Sequence, residues 1–283
     1  MLAYQHAYHA GNFADVHKHL TLFAVIRHLL RKESAITYID THAGRGCYPL
    51  DAEETRKLME YRSGILPLWQ ARRKLGAVDP LFGAWLEGVE NVQQGEEERL
   101  THYPGSPWWL AHALRPQDRL SLFELHPGEH RHLDVQPLPA NARRIHGDGL
   151  AGMARMLPVA TPRLCVLIDP SYERKEEYHE VASAVQGLVR KVRHAVALVW
   201  YPLLPAGRHR EMLERMREHG LRKLWQAELQ LAPPSDSYGM YGSGMLVLNP
   251  PWGLEEELAM AMTKIVPLLG ASARYRSGWW VEE

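Results

Sequence analysis

Four short segments carry side chains that could do chemistry together: Asp40 with Thr41-His42-Ala43-Gly44-Arg45-Gly46, Glu124, Gly147-Asp148-Gly149, and Asp169-Pro170-Ser171-Tyr172. Each stands at the end of a short candidate strand. Glycines allow a backbone to approach a ligand closely, a carboxylate can accept from ribose hydroxyls, and a further acceptor can hold an adenine amine. The set suits an adenosyl cofactor. The fourth segment suggests the reaction. An aromatic amine has its lone pair delocalised into the ring, so methylating it requires the nitrogen to be held in line with a sulfonium methyl group. The Asp169 carboxylate and the Pro170 carbonyl can each accept a hydrogen bond from such an amine, favouring a more tetrahedral nitrogen and stabilising the charge that develops there. Tyr172 could stack on a flipped base. Positioning, rather than a strong base, would supply most of the rate.

Singly, every segment has a plainer reading. The glycine loop can be a turn, Glu124 a solvated strand end, Asp148-Gly149 turn chemistry, and Asp169-Pro170 a strand-ending turn. Ser106 reads as a helix N-cap. Their order along the chain carries the functional reading. A near-duplicate, Asn249-Pro250-Pro251-Trp252, is the better match as a pattern. It ends the seventh strand, whereas the reacting motif belongs on the fourth, so it is expected to be structural. His126-Pro127-Gly128-Glu129-His130 matches H-x-x-E-H, but metal chemistry needs both His on one face of a regular helix. Pro127 and Gly128 come just after a strand, so no metal is expected. Arg45, between two glycines, can point to solvent.

The elements that must position these residues follow from periodicity. A first helix is predicted from about Asp15 to Arg31, with Leu22, Val25, Ile26, Leu29 and Leu30 as its apolar stripe. Strands are predicted over Ala35–Ile39, Leu120–Leu125, Arg144–His146, Leu164–Asp169, Ala195–Tyr201, Trp225–Leu231 and Met245–Asn249. Helices are predicted over Lys175–Arg193 and Arg208–His219, and from Ser106-Pro107 to before Pro116. Residues 52–103 are charged and helical in pattern. One helix there starts at Asp79-Pro80, with Leu81, Trp85 and Val89 on one face. The expected fold is α/β: a Rossmann-like class I S-adenosylmethionine-dependent methyltransferase with a seven-stranded, mostly parallel sheet and ligands at the strand carboxyl ends. The helical insertion, 52–103, follows the first strand within a single domain, 1–283.

Composition narrows the class. There is no run of about 18 apolar residues and no apolar leader in Met1–Asn12. Two cysteines, Cys47 and Cys165, are too few for a disulfide framework, so a cytoplasmic protein is expected. Basic and acidic side chains number 33 each, which disfavours tight non-specific nucleic-acid binding. A local basic face is expected from Lys18, Arg27, Arg31 and Lys32, aided by protonation of nearby His6, His9, His17 and His28.

Several blocks together resemble the bacterial 23S rRNA (adenine-N6)-methyltransferase J family. They are Met1-Leu2-Ala3-Tyr4-Gln5-His6, His9-Ala10-Gly11-Asn12, Ala14-Asp15-Val16, Lys18-His19, Asp40-Thr41-His42-Ala43-Gly44, Tyr103-Pro104-Gly105-Ser106, Glu124-Leu125-His126-Pro127, Trp200-Tyr201-Pro202 and Asn249-Pro250-Pro251-Trp252. The resemblance covers essentially the whole chain. It implies a monomeric enzyme that methylates N6 of one adenine in 23S rRNA not yet assembled into a ribosome. It also implies S-adenosylmethionine contacts from His19, His42, Ser106, Glu124, Asp148, Gly149 and Asp169, with Asp169 catalytic. Tyr4, His6 and Lys18 would face the RNA, and Tyr172 the base. Ser171 stands where the family's usual motif has a second proline, which loosens the loop but keeps both acceptors. Three alternatives stay open at this point: a DNA adenine methyltransferase, a non-catalytic RNA-binding protein on the same fold, and a metallohydrolase.

Overall fold

A computed structural model describes residues 4–94, 98–234 and 239–283. Along them run α1 (Phe13–Leu29), β1 (Ile36–Asp40), β2 (Cys47–Pro49), α2 (Glu53–Leu58), α3 (Ile65–Gln70), α4 (Arg72–Gly76), α5 (Pro80–Glu90), β3 (His102–Pro104) and α6 (Ser106–His112). Then come β4 (Arg119–Glu124), α7 (Pro127–Asp134), β5 (Ala142–His146), α8 (Gly149–Met156), β6 (Arg163–Ile168) and α9 (Glu177–Lys191). The chain finishes with β7 (Val196–Leu203), α10 (His209–Glu218), β8 (Leu224–Gln230), β9 (Gly242–Leu248), α11 (Leu254–Leu269) and β10 (Arg274–Val281).

The main sheet has the order β10-β8-β9-β7-β6-β1-β4-β5. Five neighbours, from β7 to β5, are parallel. β9 runs antiparallel to both β7 and β8, and β10 antiparallel to β8. One face packs on α1, α5, α6 and α11, the other on α8, α9 and α10. This is the doubly wound α/β plan, with eight strands where seven are predicted. The eighth, β10, is an edge strand with mostly exposed residues, so it has no apolar run for periodicity to find. Connections from β1 to β4 and β5 move outward on one side. The chain then returns to β6 on the other side of β1, so the strand order reverses between β1 and β6. Ligands bind at the carboxyl ends of strands beside such a reversal.

The segment 52–103 is bracketed by a hairpin, since β2 pairs antiparallel with β3. Its helices do not stand apart. Trp85 of α5 stacks on Trp109 of α6 with centroids 5.9 Å apart. Asp79 caps α5, accepting from the Phe82 N–H at 2.9 Å, and pairs with Lys264 of α11 at 3.1 Å.

The first helix corrects an expectation. Fourteen of the 17 residues of α1 are buried, so it is a core helix and not a basic surface helix. Lys18, His17 and His28 are inside, and Arg27 and His28 meet Glu257 of α11 at 3.7 and 2.7 Å. Burial pushes His17 down to about 3, so it stays neutral. No helix among the described residues is long and apolar enough to cross a membrane.

Candidate active site

A cavity of about 330 Å³ opens at the carboxyl ends of the parallel strands, within the range of small-molecule sites. Ten of the eleven residues singled out from the sequence line it: Tyr4, His6, Lys18, His19, His42, Ser106, Glu124, Asp148, Gly149 and Asp169. Tyr172 does not. Met1, Leu2 and Ala3 of the N-terminal block lie outside the described residues.

On the β1–β4–β5 side the backbone is held against Glu124. Gly44, at φ +62, donates its N–H to Glu124 Oε2 at 2.8 Å, and the His126 N–H reaches Oε1 at 2.6 Å. Each carboxylate oxygen keeps a lone pair free. Burial raises the Glu124 carboxyl above its ordinary value. A side chain at Gly44 would collide with the Tyr48 hydroxyl, and one at Gly149 would sit 1.9 Å from the Thr41 carbonyl oxygen. Glycine is therefore required where α8 begins against the loop. Asp148 caps that helix, accepting from the Ala151 N–H at 3.0 Å, and its carboxylate remains exposed.

Two expectations change on this side, those for Arg45 and Ser106. Arg45 is not in solvent: it is 5% exposed and forks onto Glu129, with Nε–Oε2 at 3.0 Å and Nη2–Oε1 at 2.6 Å. A charge between two glycines is kept there because a partner carboxylate lies beneath the loop. Glu129 thus has its cation, and His126 Nδ1 accepts from the Gly128 and Glu129 N–H groups as the cap of α7. That accounts for the H-x-x-E-H pattern. Ser106 is the first residue inside α6, and Gly105 is the N-cap.

His19 is wholly buried. Its Nδ1 pairs with the Tyr103 hydroxyl at 2.9 Å, while Nε2 has no protein partner. A buried polar atom in a cavity wall is costly without a partner, so this nitrogen suits a ligand. Burial lowers its basicity and also pushes His42 down to about 4, leaving both rings neutral.

On the β6–β7 side, hydrogen bonds and ion pairs link the N-terminal segment to Asp169. The Tyr4 hydroxyl meets His6 Nδ1 at 2.9 Å, and His6 Nε2 meets Asp15 Oδ2 at 2.9 Å. Lys18 Nζ lies 3.0 Å from Asp15 Oδ1 and 2.6 Å from Asp169 Oδ2. Lys18 is 4% exposed, which corrects its expected place against RNA: it is the buried counter-ion of Asp169. Burial alone would lower the Lys18 ammonium, but Asp169 and Asp15 hold it above its ordinary value. Burial would raise Asp15, but His6 and Lys18 hold it well below. Asp169 is raised by burial, because the charge of Lys18 is divided between two carboxylates.

Tyr172 is the second correction on this side. Its φ of +54 turns the ring inward, where it packs on Tyr178 at 4.3 Å and donates its hydroxyl to the Trp200 carbonyl at 2.8 Å. With 7% exposure the ring is core, not a stacking surface. Trp200, by contrast, does line the cavity. Sequence reasoning left Trp200 and Asp15 without roles. The Asp15–Lys18 spacing of three on a helix is the signal that could have paired them. Asn249, as expected, is structural. It follows β9, which runs antiparallel to β7, so it lies at the opposite ends of the strands from the cavity and donates to the carbonyls of Arg193 and Ala195 at 3.1 and 2.8 Å.

Comparison with known proteins places this arrangement. A family model described as ribosomal RNA large subunit methyltransferase D, RlmJ, matches residues 33–281. Ribosomal RNA large subunit methyltransferase J of Escherichia coli K12 is 37% identical over 274 residues, 94% of this chain and 95% of that protein. The protein of the same name from Haemophilus influenzae is 35% identical over 270 residues, 95% and 93% of the two chains. A crystal structure of a Legionella pneumophila protein, 35% identical, superposes with a TM-score of 0.86 over 95% of this chain and 98% of that one. The chain belongs to the RlmJ family of ribosomal RNA large subunit methyltransferases.

Proposed function

We propose that this protein transfers a methyl group from S-adenosylmethionine to N6 of one adenine in 23S rRNA, acting on RNA free of ribosomal proteins. The observation that carries this reading is the placement of Asp169-Pro170 at the end of β6, across one cavity from Glu124 and the glycine loop. Family membership supports ribosomal RNA as the substrate. The donor set fits the cofactor: Glu124 has free lone pairs for ribose hydroxyls, Gly149 and Asp148 open α8 beside it, and the unpartnered Nε2 of His19 lies in the wall. His42 and Ser106 complete that half. Bound there, S-adenosylmethionine supplies an electrophilic sulfonium methyl group. Asp169 and the Pro170 carbonyl accept from the adenine amine and hold its nitrogen in line for attack. Lys18 keeps the Asp169 carboxylate ionised, so that it can take the proton the methylated nitrogen sheds. Tyr4 and His6, at the other end of the network, face the incoming RNA.

The chain works as one methyltransferase domain over residues 1–283, with 52–103 as an inserted helical subdomain, and as a cytoplasmic monomer. The test is methyl transfer from labelled S-adenosylmethionine to protein-free 23S rRNA, with duplex DNA and assembled large subunits as competitors. Label in N6-methyladenosine of the free RNA is expected. Preferential labelling of DNA would replace this reading with the DNA enzyme.

A further inference from the structure

With Tyr172 turned into the core, Trp200 presents an aromatic side chain in the half of the cavity beyond Asp169. Trp200 lies near the end of β7, partly exposed, with Pro202, Leu204 and Met240 lining the same side. Lys18 Nζ lies 5.9 Å from the centroid of the indole and 2.6 Å from Asp169 Oδ2. A face of the ring therefore looks toward the catalytic carboxylate across a single lysine head group.

Trp200 is held through its main chain and its ring. Its backbone carbonyl accepts the Tyr172 hydroxyl at 2.8 Å. Its Nε1–H donates to Ser243 Oγ at 3.0 Å, and Ser243 Oγ lies 3.1 Å from His17 Nδ1. An indole nitrogen can only donate, so Ser243 accepts from Trp200. The same hydroxyl is hydrogen-bonded to Nδ1 of His17, whose ring burial keeps neutral down to about pH 3. Ser243 is completely buried and His17 is 1% exposed, so solvent does not compete for either bond. A tryptophan whose edge is pinned by a buried polar chain, while a face remains in the cavity wall, has one orientation to offer a ligand.

We propose that Trp200 is the stacking platform for the target adenine, and that Ser243 and His17 are positioning residues that set its plane. This rests on the methyltransferase reading of the cavity and deepens it. A purine ring laid on the indole has its amine edge directed at Asp169 and Pro170, while its sugar and phosphate leave through the cavity mouth. Stacking tolerates any base, so the two acceptors add the requirement for an exocyclic amine, which uracil lacks.

The test uses the full chain with protein-free 23S rRNA, and reads S-adenosylhomocysteine affinity by calorimetry beside kcat and KM for RNA. Wild-type transfer to adenine N6 is scored first, so failure of the parent reading is seen separately. Trp200→Ala is expected to lower kcat/KM by about 10- to 100-fold, the range for losing one base–aromatic stack, with S-adenosylhomocysteine affinity unchanged within about twofold. Trp200→Phe keeps a ring and should recover most of the loss. Ser243→Ala keeps the indole but frees its edge, and should fall between the two. Wild-type kcat/KM in Trp200→Ala overturns the proposal. So does a Trp200→Phe variant as impaired as Trp200→Ala, or a loss confined to S-adenosylhomocysteine affinity. If Trp200→Ala does not fold, Trp200→Phe and Ser243→Ala decide by the same readouts.

Discussion

In the proposed mechanism Asp169 works only as a carboxylate, and its ionisation depends on how Lys18 distributes one charge. Burial raises Asp169, and Lys18 opposes that rise while also serving Asp15. Lys18→Ala should lower turnover at least tenfold and move the acid limb of the pH–rate profile to higher pH, since the uncompensated carboxyl then protonates sooner. A loss of turnover with the acid limb in place would mean that Lys18 acts only through packing. Asp40, wholly buried at the end of β1, is the opposite case. Burial pushes its carboxyl up to about 7, with only partial relief from hydrogen bonds. Between about pH 4 and 7 the folded chain then holds a proton that the unfolded chain has released, so this group costs stability as pH rises through that window. Asp40→Asn should be more stable than wild type by about 1–3 kcal/mol at pH 7, with the gap closing toward pH 4. A melting temperature that falls at pH 7 would contradict this.

The glycine loop after β1 is held less by its glycines than by what lies under it. Gly44 is tied to Glu124, and Arg45 is forked onto Glu129 of α7. Removing one partner of a buried ion pair typically costs about 3–5 kcal/mol. Glu129→Ala should therefore lower stability by that order and weaken S-adenosylmethionine binding, although Glu129 is not proposed to contact it. Unchanged cofactor affinity by calorimetry would separate the loop from α7. This contact shows where sequence reading stopped. The loop with its strand, Glu124 at the end of β4 and Asp169 after β6 were legible because each ends an apolar run at a turn, and Asp148 because it sits between two glycines. The Arg45–Glu129 pair joins residues 84 positions apart, and no local pattern announces it. α1 misled for a related reason. Its Lys and His residues look like a solvated face, but they are paired through Asp15, Asp169, Ser243 and Glu257, partners on other elements or a turn away. Tyr172 was misread because a left-handed backbone turn, invisible in the sequence, reverses the ring.

For the molecule as a whole, the doubly wound plan was legible from the alternation of apolar strands and helices, while the strand order and the edge strand β10 were not. The cavity follows from that order. Strands that lead away from β1 on both sides bring Glu124 and Asp148 to one half of a single opening, and Asp169 and Trp200 to the other. The N-terminal segment closes the second half through Tyr4, His6 and Lys18. The chain is neutral overall, with 33 basic and 33 acidic side chains, so net charge gives it little general affinity for RNA. Recognition should depend on fitting one adenine into this opening. The most direct measurement is single-turnover methyl transfer to protein-free 23S rRNA by wild type, Asp169→Ala and Asn249→Ala, with label located by nucleoside analysis. Wild type and Asn249→Ala should both place label in N6-methyladenosine, and Asp169→Ala should be slower by about 10²–10³ while remaining folded. Near-wild-type transfer by Asp169→Ala, or an inactive but folded Asn249→Ala, would contradict the assignment of the reacting motif.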